Sequence, residues 1–329
     1  MSLEPNPLTI ARIETGERGF CLSLRRRVLL SVLGALAVTA ILAFVLIGRR
    51  GQFVAALHSA PVSLLAAAAM LQVVALLARS EAWNMCVRAA GGRGSRRLLF
   101  RAAGVGYLAS VINGTVGMVA RIASLRRAAP DATPRVGALL AAEVPIITVE
   151  VALAAIFSFT LIAPLGLSWW IPLVAIMTIA AVLGAVQRLS KRHRSGLWAG
   201  LAILRKQGRA RMTAFVLLAV CAQIARNWLM LHAIGVNVSV FDAMALLIAM
   251  FTLGQLPIGP SIGPAAAVLI LGAHGVALTA AAGALLAVTG TVGSLGYAAW
   301  AITDRIIAGR LIARPEAIVT PVAAAPTPG

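Results

Sequence analysis

Charge is scarce in this chain. Only 12% of its 329 residues are Asp, Glu, Lys or Arg, and only 10 are acidic; a soluble globular domain is about a quarter charged. Cysteine is almost missing. Cys21, Cys86 and Cys221 lie far apart with no C-x-x-C pair, which excludes a disulfide framework and thiolate metal spacing. The 4 histidines are scattered without an H-x-x-x-H pair, so no metal site and no cofactor are expected. Strand-rich sequence is also wanting, and with it the enzyme folds that need a sheet.

What fills the chain is apolar side chain. Hydrophobic residues make up 60% and the mean hydropathy is +0.93. Several apolar runs reach the roughly 20 residues that a helix needs to cross a bilayer core. The sequence therefore predicts an all-α, polytopic membrane helix bundle. Full spans are expected at 28–48, 61–87, 136–164, 168–187, 212–234 and 276–302. Residues 1–27 form a basic cytosolic tail, 28–304 the membrane domain, and 305–329 a Pro/Ala-rich cytosolic tail without a periodic face. The run 28–48 exceeds a typical signal-peptide core of about 7–15 residues and reads as a retained signal anchor.

The net charge is +19, and a basic surface attracts phosphates. Its placement points to loops rather than to nucleic acid. No nucleic-acid-binding motif accompanies it, and none is expected as partner. Basic residues mark cytoplasmic loops. Two further apolar stretches, 98–120 and 242–272, are interrupted. If both enter the membrane and return to the same side, 25 of the 29 basic residues face inward and only Arg49 and Arg50 face outward. Arg79 and Arg226 are left at membrane depth. A full crossing at 98–120 would turn the group of eight at 188–211 outward. The expected topology is thus a multi-pass protein of the cell (plasma) membrane, both termini cytoplasmic, with six spans and two re-entrant segments.

The interrupted segments resemble each other. "INGTVG" (112–117) and "IGPSIG" (258–263) share Ile-x-x-[Thr/Ser]-[Val/Ile]-Gly, 146 residues apart. Gly/Pro-broken segments at corresponding places in two halves, entering from opposite sides, are the pointer to an inverted-repeat transporter site. Within "GQLPIGPSIGP" (254–264) three glycines and three prolines fall in eleven positions. Unpaired amides in lipid cost several kcal/mol each, so such backbone belongs in a protein-enclosed or wet cavity. Gly114, Gly117, Pro257, Gly259, Pro260 and Gly263 are the expected backbone-break residues. Helix N-termini near Val119 and Ala265 would then offer free amides to an anion. The competing reading for the glycines is close helix packing, and for "GTVG" at 290–293, which lacks proline, packing is preferred.

At these residues the chain resembles the membrane region of lysylphosphatidylglycerol synthases, the flippase-like domain. That family carries a motif like P-G-R-L-G-E-x-x-R. "NGTVGMVAR" keeps Gly114, Gly117 and Arg121, with Asn113, Thr115 and Met118 at the Pro, Arg and Glu positions. A family V-E-R segment is matched by "AEV", which keeps Glu143 and has Val144 for Arg. The second motif, L-P-x-S-P-G-G-x-G-x-x-E, is matched by "LPIGPSIGPAA", which keeps Leu256, Pro257, Pro260 and Gly263 and lacks the last Glu. "RNWLMLHAIGVNVSVFDAMALL" (226–247) fits the usual lead into it. The resemblance implies a lipid-translocating or lipid-handling membrane protein, without an attached aminoacyltransferase domain.

Charges near the bilayer centre need a partner or a wet cavity. Glu143 and Glu150 lie two helical turns apart on one face, with Pro145 between them opening the helix locally. Glu143 is either a cavity-facing proton carrier or counter-ion, or half of a structural pair with Arg226 or Arg121. For Glu150 the structural pair leads. Arg121 and Arg226 are candidate ligands of a lipid phosphate, because a guanidinium offers two parallel donors. Arg226 has Gln223 and Asn227 beside it. Arg79 and Glu81 are read as interfacial. Asn113, Thr115, Gln255 and Ser261 are candidate headgroup hydrogen-bonders.

The expected function is translocating or presenting an anionic lipid, or a polyprenyl-phosphate-linked lipid, between leaflets through a midplane cavity. Two other classes compete. A membrane-embedded lipid-modifying transferase or hydrolase would draw on "GPSIG" (259–263), which matches G-x-S-x-G but lacks the preceding strand of a nucleophile elbow. A non-catalytic subunit would scaffold a partner membrane enzyme.

Overall fold

The computed structural model describes residues 33–34, 36–111, 114–192, 198, 201, 203, 208–254 and 261–312. Among them there is no strand, and six helices are long and apolar enough to cross a bilayer. They are α1 (Leu36–Ser59), α2 (Val62–Ala89), the run Val136–Leu165, α7 (Trp170–Arg192), α8 (Arg209–Ala233) and α11 (Val276–Ile312). The chain is an all-α, polytopic membrane helix bundle. The remaining helices, α3 (Arg96–Ser110), α4 (Gly114–Ala128), α9 (Val240–Leu253) and α10 (Ile262–Leu271), fill the two interrupted stretches.

Local chemistry sets the boundaries. Ser95 accepts from the Leu98 amide at 3.2 Å and starts α3. Ser239 and Asp242 form a reciprocal capping box at the start of α9, satisfying two amides that would otherwise lack partners. Gly91 and Gly235, at φ 97° and 78°, end α2 and α8 in the left-handed conformation that glycine adopts without strain.

Three expected boundaries change. Helix α11 runs past the expected end at 302, through the start of the expected tail, to Ile312. The segment 28–48 is described only from residue 33, and its helix runs on through Arg49 and Arg50 to Ser59. These arginines are therefore not in a loop. They sit at a 3-10 turn, Ile47–Arg49, where the Arg49 backbone departs from helical values (φ −126°, ψ 16°). The connection to α2 is Ala60–Pro61. The expected single span 136–164 is two helices, α5 (Val136–Ala141) and α6 (Val144–Phe157). Pro145 has no amide hydrogen for the Ala141 carbonyl, so the ladder fails there and Glu143 lies in the turn.

Helices α2, α8 and α11 form the centre, and two cores gather at their opposite ends. One joins the C-terminal part of α2 (Ala82–Val87) and the start of α8 (Met212, Val216) to the α3–α4 hairpin (Leu99, Ile122, Leu125) and to Leu139 and Ile146. The other joins Ala68 of α2, the end of α8 (Met230, Leu231) and Leu286 of α11 to the α9–α10 hairpin (Leu246, Ala266, Leu271). The interrupted segments are thus two helical hairpins docked on opposite ends of the same three helices, which is the expected inverted arrangement. Alanine makes up about half of the buried apolar residues, in keeping with close helix approach where lipid supplies no hydrophobic drive between helices. Apolar side chains on α1 and α7, such as Phe44 (77% exposed) and Met177 (65%), face outward, where lipid is the solvent.

Candidate functional site

The register on α11 sets the depth of both hairpins. Arg101 pairs with Asp304 at 2.6 Å, and Gly104 lies against Tyr297 and Ala301, so α3 runs antiparallel to α11. Its last residue, Ser110, is therefore level with about residues 291–295, six residues being about 9 Å of helix. From the other end, Gly263 at the start of α10 touches Gly283 and Ala287. Both hairpins end close to the level of Gly290.

At that level sits a buried polar cluster. Arg226 of α8 donates through Nη1 to Gln72 Oε1 of α2 and through Nη2 to the Leu286 carbonyl of α11 at 3.2 Å. Gln223 Nε2 donates to the same Gln72 oxygen at 3.0 Å. Arg226 is 4% exposed and Asn227 0%. The Arg226 Nε and both amide atoms of Asn227 have no hydrogen-bond partner. Gln72 lies ten residues into α2, Leu286 ten into α11 and Arg226 seven from the end of α8, depths of about 10–15 Å along the helices and hence near the middle of a roughly 30 Å hydrocarbon core. The "GTVG" turns of α11 make room for it: Gly290 faces the guanidinium, and a Cβ on Gly293 would stand 2.7 Å from Gln72 Cγ. Helix α11 is continuous through 290–293, so the packing reading holds there.

Among the described residues no carboxylate pairs with Arg226, because the acids are taken elsewhere. Arg121 pairs with Glu143, both buried. Arg79 pairs with Glu150 at 3.0 Å and Arg96 with Glu81 at 2.8 Å. The alternative of a Glu143–Arg226 pair is excluded: Glu143 pairs with Arg121 of α4 beside the core that holds Ala142 and Ile146, whereas Arg226 bonds to Gln72 and Leu286, in the halves of α2 and α11 away from that core. Arg79 and Glu81, read as interfacial, are both paired. Arg79 lies ten residues inside α2 and ties it to α6.

The second buried cation, Arg121, lies over the Trp83 ring, 4.5 Å from its centroid. Its Nη1 and the Trp83 Nε1 lack partners. Gly106 admits it, since a Cβ there would come within 2.8 Å of Arg121 Cβ. Near it the chain's two tyrosines meet edge to face at 5.5 Å, and both hydroxyls reach Ser80, at 3.2 Å from Tyr107 and 3.0 Å from Tyr297.

The break residues divide. Asn113, Gln255, Pro257, Gly259 and Pro260 lie outside the described residues. Gly114 opens α4 with open space around it, and Thr115 follows, exposed. Gly117 and Gly263 are not break residues. Both lie inside helices as contact points: a Cβ on Gly117 would meet the Gly106 carbonyl oxygen at 2.7 Å, and one on Gly263 the Gly283 carbonyl oxygen at 2.5 Å. Helix N-termini fall at Gly114 and Ile262, not at Val119 and Ala265, because glycine and proline within the first turn leave the last turns unbroken. Ser261, buried, shares a 2.9 Å hydrogen bond with Thr39 of α1. His274 lies beyond α10, about 20 Å along the chain at helical rise, so it is no base for Ser261.

A cleft of about 530 Å³ opens beside Ser261, between α1, α10 and α11. Among the described residues its lining includes none of 114–121. Gln72, Trp83 and the tyrosine–Ser80 cluster were not singled out by the sequence, which flags charge and broken backbone but not which helices meet.

Comparison with family models, with curated proteins and with solved structures finds no match to any of them.

Proposed function

We propose that the protein moves or presents an anionic lipid headgroup across the membrane, with Arg226 as the mid-membrane cation that receives it. The observation that carries this reading is the state of Arg226. A guanidinium at that depth costs at least roughly 2.5–3.5 kcal/mol on insertion scales. A merely structural arginine is expected to recover that cost with a carboxylate, as Arg121, Arg79, Arg96 and Arg101 do. Arg226 has instead one amide oxygen and one carbonyl, and leaves its Nε open beside an unpartnered Asn227 amide. That is a donor set lacking an oxyanion.

The hairpins supply the motion. Both dock on α11 and end near the level of Gly290, one from each side. Separation of either from the central three helices opens Arg226 toward one face, which is alternating exposure of a single site. The resemblance of "NGTVGMVAR" and "LPIGPSIGPAA" to the flippase-like family supports the same substrate class. The test is translocation of fluorescent phosphatidylglycerol in reconstituted vesicles. Wild type should exceed empty vesicles, and Arg226→Gln should fall roughly 10-fold or more, the weight of one charge-assisted hydrogen bond of about 1.5–3 kcal/mol. Equal rates in all three would remove the proposal.

A further inference from the structure

The cleft beside Ser261 has a length, a charge and a direction, and the geometry points to a seat for one anionic phospholipid, its phosphate on Arg50 and one acyl chain in the cleft. The walls are apolar, formed by Leu46 and Phe53 of α1 and Ala284 of α11, and the volume is about 530 Å³, within the roughly 300–1,000 Å³ of ligand pockets. Its two polar features are at its ends: the Thr39–Ser261 hydroxyl pair and Arg50.

Their depths match one leaflet. Ser261 precedes α10, whose ten residues lead back to the membrane face at Gly272–His274, so Ser261 lies about 15 Å inside that face. From Thr39, bonded to Ser261, α1 runs eleven residues to Arg50, about 16 Å; Ala60 shares the core at that same end with Leu271, so beyond the turn at Arg49 the segment Arg50–Ser59 runs along that face rather than away from it. Half of a roughly 30 Å hydrocarbon core is about 15 Å. A chain whose headgroup rests at Arg50 therefore ends at the hydroxyl pair near the midplane. The 3-10 turn at Ile47–Arg49 bends α1 just where the headgroup would sit. No carboxylate pairs with Arg50 among the described residues, which leaves its guanidinium for a phosphate. A phospholipid fits where a soluble anion does not, because the acyl cleft is continuous with the cation.

This seat is independent of Arg226, and its test keeps the two apart. Full-length protein is reconstituted in nanodiscs with phosphatidylglycerol carrying a photoreactive group at the end of one acyl chain, or with the matching phosphatidylcholine. Labelling should concentrate on α1 and α10 around Thr39 and Ser261 and favour phosphatidylglycerol. Arg50→Gln should cut that preference roughly fivefold, the weight of one basic residue at an anionic surface, and Arg50→Lys should keep most of it. Ala284→Phe should block labelling by both lipids. Arg226→Gln should leave labelling as in wild type even if translocation stops. Labelling spread evenly over α1 and α7, or a phosphatidylglycerol preference untouched by Arg50→Gln, overturns the seat. Melting temperatures of each variant, measured alongside, separate a misfolded protein from an emptied cleft.

Discussion

Gly283 of α11 and Gly263 of α10 touch backbone to backbone: a Cβ added to either would stand 2.4 to 2.5 Å from the other's carbonyl oxygen. Backbone cannot yield as a side-chain tip can, so the contact fixes how the second hairpin docks. Gly283→Ala should destabilise the protein by about 1–3 kcal/mol, the cost of an overpacked contact. Gly184→Ala, with open space around it, should be neutral or slightly stabilising through helix propensity. Thermal unfolding in detergent reads both. Equal melting of the two variants would show that the helices part freely at Gly263.

The Arg121–Glu143 pair is buried among Trp83, Gly106 and the turn before Pro145. Removing one partner strands the other. Glu143→Gln should cost about 3–5 kcal/mol, and adding Arg121→Gln should recover a large part of it. A double-mutant cycle on melting checks this, and additive losses would contradict a direct pair.

Gln72 accepts from both Arg226 and Gln223 through one oxygen. Gln72→Leu leaves two donors unmet, the buried Arg226 and the half-buried Gln223, and should cost about 1–3 kcal/mol. The matching loss is not expected for Gln223→Leu, which takes its own donor away with the side chain. Similar melting of Gln72→Leu and wild type would mean that water fills the cluster.

Ser239 and Asp242 close the first turn of α9. Ser239→Ala should cost about 1 kcal/mol, seen as faster hydrogen exchange of the amides of residues 240–243. Unchanged exchange there would show that the hairpin holds its mouth without the cap.

Much of this architecture could be read from the sequence. The six long helices follow from run length, and the hairpin form of 98–120 and 242–272 follows from where the arginines fall. Pro145 foretold the break at Glu143, and the proline-free "GTVG" foretold an unbroken α11. What remained hidden is which helices meet. Glu143 had two candidate partners, and only the distribution of the cores between opposite ends of α2 and α8 decides for Arg121. Gln72 lies in an alanine- and leucine-rich run with no local mark of its role. Gly117 and Gly263 looked like breakers because a glycine that lets the chain bend and one that lets two helices touch are written alike. Ser261 was attached to the right hairpin, but its partner, Thr39, is 222 residues away.

The central claim is that Arg226 awaits an anion from the lipid, and Gln72→Glu tests it most directly. The substitution keeps the shape of the side chain and gives Arg226 the carboxylate it lacks. Translocation of fluorescent phosphatidylglycerol should drop to the level of empty vesicles while the melting temperature stays at or above that of wild type. A rate equal to wild type in Gln72→Glu, with the protein folded, would contradict the account.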